Sequence, residues 1–215
     1  MQDVETCVTF RRVTLPGGAP QAREVRWLLV TVATGSSSTL RVHVWRKLRS
    51  LGALYLQNSV ALLPESAETT RAVTKLVQRV RRAGGIARVI PMTITDREEE
   101  ATVVGQFCAE RSDEYQEIVS RVPAFLKEIA YERRRGRATY AEVEESEADL
   151  ERLQKWLTRV RARDYFDAPG RSDAEKAVEK CAAELAAFEI EALAAELPGE
   201  PASSPIQRLR AIENE

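Results

Sequence analysis

The stretch "LRVHVWRKLRSLGALYLQNSVALLP", Leu40 to Pro64, joins two hydrophobic patterns across a single glycine. Before Gly52 the apolar residues recur at helical spacing. At 100° per residue, Leu40, Val44, Leu48 and Leu51 fall within about 80° of arc, with Trp45 beside them. A helix is therefore expected over Thr39 to Leu51, with Gly52 as its stop. After Gly52, "ALYLQ" and "VALLP" read as two short strands flanking Asn58-Ser59, a tight hairpin turn. Arg46, Arg49, His43 and Lys47 lie opposite the apolar stripe, and Arg41 flanks it. These cations either hold something negative or form the wet side of a core helix.

Upstream, "WLLVTVA" (Trp27 to Ala33) is a short run of β-formers suited to a central strand, and "TGSSS" offers a turn and a serine cap. Downstream, Ser66 can cap a second helix through Ala83, closed by Gly84-Gly85. Val73, Leu76, Val77 and Val80 form its inner face. Arg71, Lys75, Arg79 and Arg82 follow at i, i+4, i+8 and i+11 as a basic outer stripe. "IARVIPMTI" supplies the last strand, with Pro91 suited to an edge or bulge. The order βαββαβ predicts a ferredoxin-like antiparallel sheet with both helices on one face, so that the two basic stripes face the same way.

From Asp96 the strand patterns stop, and Glu, Ala, Arg and Leu dominate. Three helices are expected. The first runs from about Asp96 to Arg133 and bends at Pro123, which has no backbone N–H. The second opens on the capping box "TYAE" at Thr139 and buries Val143, Leu150, Leu153, Leu157 and Val160. The third opens on "SDAE" at Ser172 and runs to Leu197. In the loop "RDYFDAP", Tyr165 and Phe166 are expected to pack the helices onto the sheet. The fold class is thus α+β, a ferredoxin-like domain over residues 26–95 followed by an all-α three-helix extension over 96–197. Residues 1–25 and 198–215 are expected to be flexible segments.

Charge divides along the same line. Through Thr95 there are 14 Lys/Arg against 5 Asp/Glu; from Asp96 onward there are 18 against 28. A positive half beside an acidic helical half motivates a polyanion partner for the first. Three distant cysteines (Cys7, Cys108, Cys181) without CxxC spacing argue against a disulfide framework and a structural zinc site. His43 is the sole histidine, so a Ser-His-Asp triad or a multi-histidine metal site has almost no material. Neither GxGxxG, a P-loop nor HExxH occurs. No apolar run approaches the roughly 20 residues of a membrane span, and the first residues lack the apolar core of a secretory leader. A cytoplasmic protein without enzymatic activity, metal or cofactor is expected.

The blocks "WLLV…LRVHVWRKLRSLGALYLQNSVALLP" and "EADLERLQKWLTRVRARDYFDAPGRSDAEKAVEKCAAELAAF" together resemble the N-terminal domain of the ChrB family of chromate-resistance regulators. The shared pattern is an opening WLL strand, then R-V-x-V-W-R-x-L-x-x-L-G-A, a strand pair ending in LLP, and a W-L-x-R-x-x-A-R-D-Y-F run. It covers about Trp27 to Phe188. The resemblance implies a transcriptional regulator binding duplex DNA at the operator of a chromate-resistance-type operon. The family's usual second, chromate-resistance domain is not expected within these residues. Arg41, Arg46, Lys47, Arg49, Arg71, Lys75, Arg79 and Arg82 are the candidate phosphate contacts, and a homodimer is compatible with the helical extension. The first domain also looks like those of phenylacetate-type repressors and of small CRISPR-adaptation nucleases. The nucleases' acid at the end of the first strand is missing from "WLLVTVATG", which removes a metal ligand. A protein-interaction module whose basic stripe only solubilises is the other reading, and a metal-dependent nuclease a remote one.

Overall fold

A computed structural model describes residues 25–135 and 140–196. The chain is α+β. Strand β1 (Arg26–Ala33), helix α1 (Ser38–Ser50), β2 (Leu54–Gln57), β3 (Val60–Pro64), α2 (Ala67–Arg82) and β4 (Ile86–Thr93) precede three long helices. These are α3 (Arg97–Arg135), α4 (Tyr140–Arg161) and α5 (Arg171–Glu196). Two compact units result, one holding residues up to 117 with 156–174, the other 118–155 with the residues from 175 onward.

In the first unit the four strands form one sheet in the order β2-β3-β1-β4, with every neighbouring pair antiparallel. Alternation along β1 explains how it packs. Leu28 and Val30 join Ala61, Leu63 and Ala87 on the face that receives Leu40, Val44 and Leu48 of α1 and Val73, Leu76, Val77 and Val80 of α2. Both helices therefore cover the same face, as the apolar stripes predict. Trp27, one residue out of phase, is fully buried against Phe107 of α3 and Phe166, with ring centroids 5.7 and 5.8 Å away.

Local chemistry sets the boundaries. The Ser37 hydroxyl accepts the Leu40 N–H at 3.3 Å and caps α1. At the other end Gly52 takes a left-handed φ of 68°, and the Ala53 N–H reaches back to Leu48 O at 3.1 Å. Ser66 and Thr69 exchange side-chain and backbone bonds in a capping box for α2. Gln57 pairs with Val60, so Asn58-Ser59 is a two-residue turn, and a bulge interrupts the register between Tyr55 and Gln57. Pro91 sits in β4, an edge strand, as its missing donor requires.

Asp96 caps α3 through the Glu98 N–H, and α3 runs on as helix through Pro123. The start of α5 departs from expectation. Ser172 already lies inside the helix, which begins at Arg171 after Gly170, and the Ala174 N–H donates to Gly170 O. Glycine's carbonyl opens this helix; a serine side chain does not. Thr139, the expected cap of α4, lies outside the described residues, as do residues 1–24 and 197–215.

The second unit is built on apolar residues at alternating three- and four-residue spacing. Ile118, Val122, Phe125 and Ile129 of α3, Leu150 and Leu153 of α4, and Val178, Cys181, Leu185 and Phe188 of α5 are buried. Arg133 bridges Glu184 and Glu191, with both N–O distances 2.9 Å. The Glu184 bond first, with Glu191 adding to it, raises the Arg133 pKa and holds its charge. Arg133 is thus committed to carboxylates. No described helix is long and apolar enough to cross a membrane.

Candidate nucleic-acid interface

The inward stripes of α1 and α2 dictate what their outward faces display. Arg41, Arg46, Lys47 and Arg49 on α1, and Arg71, Lys75, Arg79 and Arg82 on α2, are all exposed. None of the eight has a carboxylate partner among the described residues. Arg41 donates to Gly35 O at 3.1 Å and Arg71 to Ala67 O at 3.0 Å, contacts that leave both charges uncompensated. Between residues 26 and 95 the chain carries 11 Lys/Arg and only two acids, Glu65 and Glu68. Glu65 is occupied by Arg26 at 2.8 Å. Two neighbouring helices on one sheet face therefore present a surface whose positive charge is nearly unopposed.

Not every arginine of α2 belongs to that surface. The Arg81 guanidinium donates twice to Ala87 O, at 3.0 and 2.8 Å, and pins the end of α2 to β4. Its wheel position, toward the buried stripe, separates it from Arg71, Arg79 and Arg82. Trp45 differs from expectation. Placed beside the core by the helical wheel, it is instead 46% exposed, and the Arg49 guanidinium lies 5.2 Å from its ring. Its position falls about 60° beyond Leu48, past the rim of the sheet-facing arc.

The C-terminal end of α1 is clamped by residues far downstream. The Tyr165 hydroxyl donates to Leu51 O at 2.6 Å, and its ring packs against the helix-side core. Arg163 lies against Gly52 and pairs with Glu114 at 2.8 Å. Arg111, only 5% exposed, pairs with Glu110 at 2.9 Å. Its Nε stands 3.4 Å from Glu114 without hydrogen-bond geometry, and its Nη1 has no hydrogen-bond partner among the described residues. Tyr115 donates to Asp164 Oδ2, whose other oxygen accepts the Ala168 N–H. Tyr165 and Phe166 thus do the packing expected of "RDYFDAP". A buried Arg111 inside a charged helix has no sequence signal of its own.

Burial pushes the Tyr165 phenol up to about 12, Glu68 adding to the shift and Arg111 and Arg163 opposing it. The neutral phenol is the form that donates to Leu51 O. With a folded value above the ordinary 10, its contribution to stability is complete below pH 10 and is lost as pH rises toward 12. The expected loss over that window is about 2 kcal/mol. Thermal melts of the wild type and Tyr165→Phe between pH 8 and 11.5 check this: the steeper wild-type decline above pH 10 is expected to be absent in the variant.

No group of three or more His, Cys, Asp or Glu among the described residues is arranged to hold a metal ion. Cys181 is a free, buried thiol whose pKa is raised, chiefly by that burial. His43 is half-buried on α1.

Comparison with known proteins adds one finding. The family model described as "Protein ChrB, N-terminal" matches residues 41–197, from within α1 to the end of α5. No curated protein and no solved structure matches the chain. The matched span takes in the basic helices, the "RDYFDAP" clamp and all three long helices, and on it the chain belongs to the ChrB N-terminal family.

Proposed function

We propose that this chain is a non-enzymatic, cytoplasmic DNA-binding regulator of the chromate-resistance type, with duplex DNA held by the outward faces of α1 and α2. The βαββαβ sheet serves as a ferredoxin-like platform for those helices. One observation carries the reading: eight exposed Lys and Arg on two adjacent helices, none with a carboxylate partner among the described residues, beside a single exposed acid of residues 26–95, Glu68. A surface kept so free of acids stores repulsion that a polyanion relieves by releasing counterions. Family membership makes a role in chromate resistance the natural setting. Phosphate contacts position a protein without reading sequence, so these residues supply affinity and register.

Fluorescence anisotropy with an operator-length duplex tests this. If all eight residues touch phosphate, log K is expected to fall with log[salt] at a slope near −7. Replacing Arg46, Arg49, Arg79 and Arg82 with alanine should reduce that slope by about 3 to 4 and weaken low-salt binding at least a hundredfold. Absence of duplex binding at 20 mM salt would remove the proposal.

A second reading, a protein-interaction module, draws on a different surface. Ile190 and Leu193 of α5 are 70% and 64% exposed in the second unit. If they and the acidic helices were the working surface, the fourfold alanine variant would leave function in a chromate-induction reporter unchanged.

A further inference from the structure

We propose that Trp45 makes the non-ionic contact of the α1 surface, pressing its indole against sugar and base edges of duplex DNA while the arginines around it hold phosphate. The inference rests on the DNA-binding reading and deepens it.

The observation is an apolar centre within a cationic face. Val42 and Trp45, three residues apart on α1, are 45% and 46% exposed, although Leu40, Val44 and Leu48 of the same helix are buried. Around them stand Arg41, Arg46 and Arg49, at one to seven positions along the helix, with no acid on α1. The Arg49 guanidinium lies over the Trp45 ring at 5.2 Å. This pairing makes a flat, cationic-and-aromatic unit on the helix surface. Trp and Arg together dominate the energetic centres of interfaces, because each offers a large rigid area with a polar edge.

A polyanion fits this patch better than a protein does. A protein partner would have to supply carboxylates to three arginines within two helical turns. A duplex supplies phosphates at regular spacing, and deoxyribose and thymine methyl groups lie between them as the matching apolar surface. Charge complementarity thus selects the occupant, and the exposed indole says that the contact includes more than phosphate.

Ionic and apolar contacts separate in a salt series. Trp45→Ala is expected to weaken duplex affinity about tenfold with the slope of log K against log[salt] unchanged. Arg46→Ala should instead lower the slope by about 0.9. Duplex addition should quench tryptophan emission in the wild type and fail to do so in Trp45→Phe, in which the buried Trp27 and the half-buried Trp156 remain. Trp45→Phe also guards against misfolding, since its melting temperature is expected to match the wild type. Wild-type affinity in Trp45→Ala, with quenching retained in Trp45→Phe, overturns the inference and leaves the DNA reading standing. Tighter binding to single-stranded than to duplex oligonucleotide also overturns it, since Trp45 would then be a stacking platform for unpaired bases. Failure of the wild type to bind any duplex at low salt brings down both.

Discussion

Gly52→Ala is expected to cost about 3 kcal/mol of folding stability, whereas Gly84→Ala, at the equivalent end of α2, costs about 1 kcal/mol. Both glycines have positive φ, 68° and 80°, so both substitutions carry the left-handed backbone penalty of about 1 kcal/mol or more. Only Gly52 adds a collision. A methyl group there would sit 2.7 Å from Arg163 Cβ and 2.8 Å from Arg111 Nη1, while at Gly84 no described residue beyond its chain neighbours lies within 4 Å. Arg163 Cβ is rooted in its backbone and cannot swing aside. Arg111 is buried and tied to Glu110, so its guanidinium has nowhere to go. Urea denaturation of the two variants decides the matter: equal midpoints would mean that the close approach at Gly52 carries no energy. Because domains of this kind hold only about 5–15 kcal/mol in total, the Gly52 loss is a large share of the whole.

Trp27→Ala is expected to be worse, at about 4 kcal/mol. Trp27 is fully buried, its indole ring faces Phe107 and Phe166, and its N–H points to Glu100 Oε1 at 3.4 Å. Truncation removes the largest buried side chain of the sheet and leaves a cavity among rings that also touch one another, Phe107 and Phe166 lying 5.6 Å apart. Trp27→Phe keeps most of the ring volume and should lose less than half as much. The measurement is again urea unfolding, with near-ultraviolet circular dichroism reporting the aromatic cluster. A Trp27→Ala midpoint within 1 kcal/mol of wild type would mean that the cluster is dispensable.

Much of the sheet unit is legible from local pattern. Leu40, Val44 and Leu48 mark the buried face of α1, Gly52 its end, and Asn58-Ser59 the hairpin, because each depends on residues within a few positions. The outward placement of six of the eight cations follows by complement, while Arg41 and Lys47 fall beside the two edges of the α1 apolar arc. What stays hidden depends on long separation or on fine angle. Nothing in the periodicity of α3 says that Arg111 is buried, since its partners Glu110 and Glu114 read as ordinary surface charge. Tyr165 and Leu51 meet 114 positions apart, and spacing carries no trace of it. Trp45 shows the limit of the helical wheel. Its hydrophobicity argues for the core, yet its angle places it past the edge of the arc, and geometry prevails. At α5 a plausible serine cap was outcompeted by Gly170, whose φ of 90° a serine could adopt only with strain.

The Trp27 cluster also sets an order of events at the ribosome. Trp27 is among the first described residues to emerge, and Phe166 follows 139 positions later. At about 5–20 residues per second, that interval is roughly 7–28 s. Until Phe107 emerges β1 carries an indole with no lid, even after β4 has closed the sheet, and the second aromatic cover arrives only with Phe166. The nascent chain therefore presents an apolar side for many seconds, a natural stop for a holdase chaperone. The sheet unit reaches its final packing only after the loop before α5 has been synthesised.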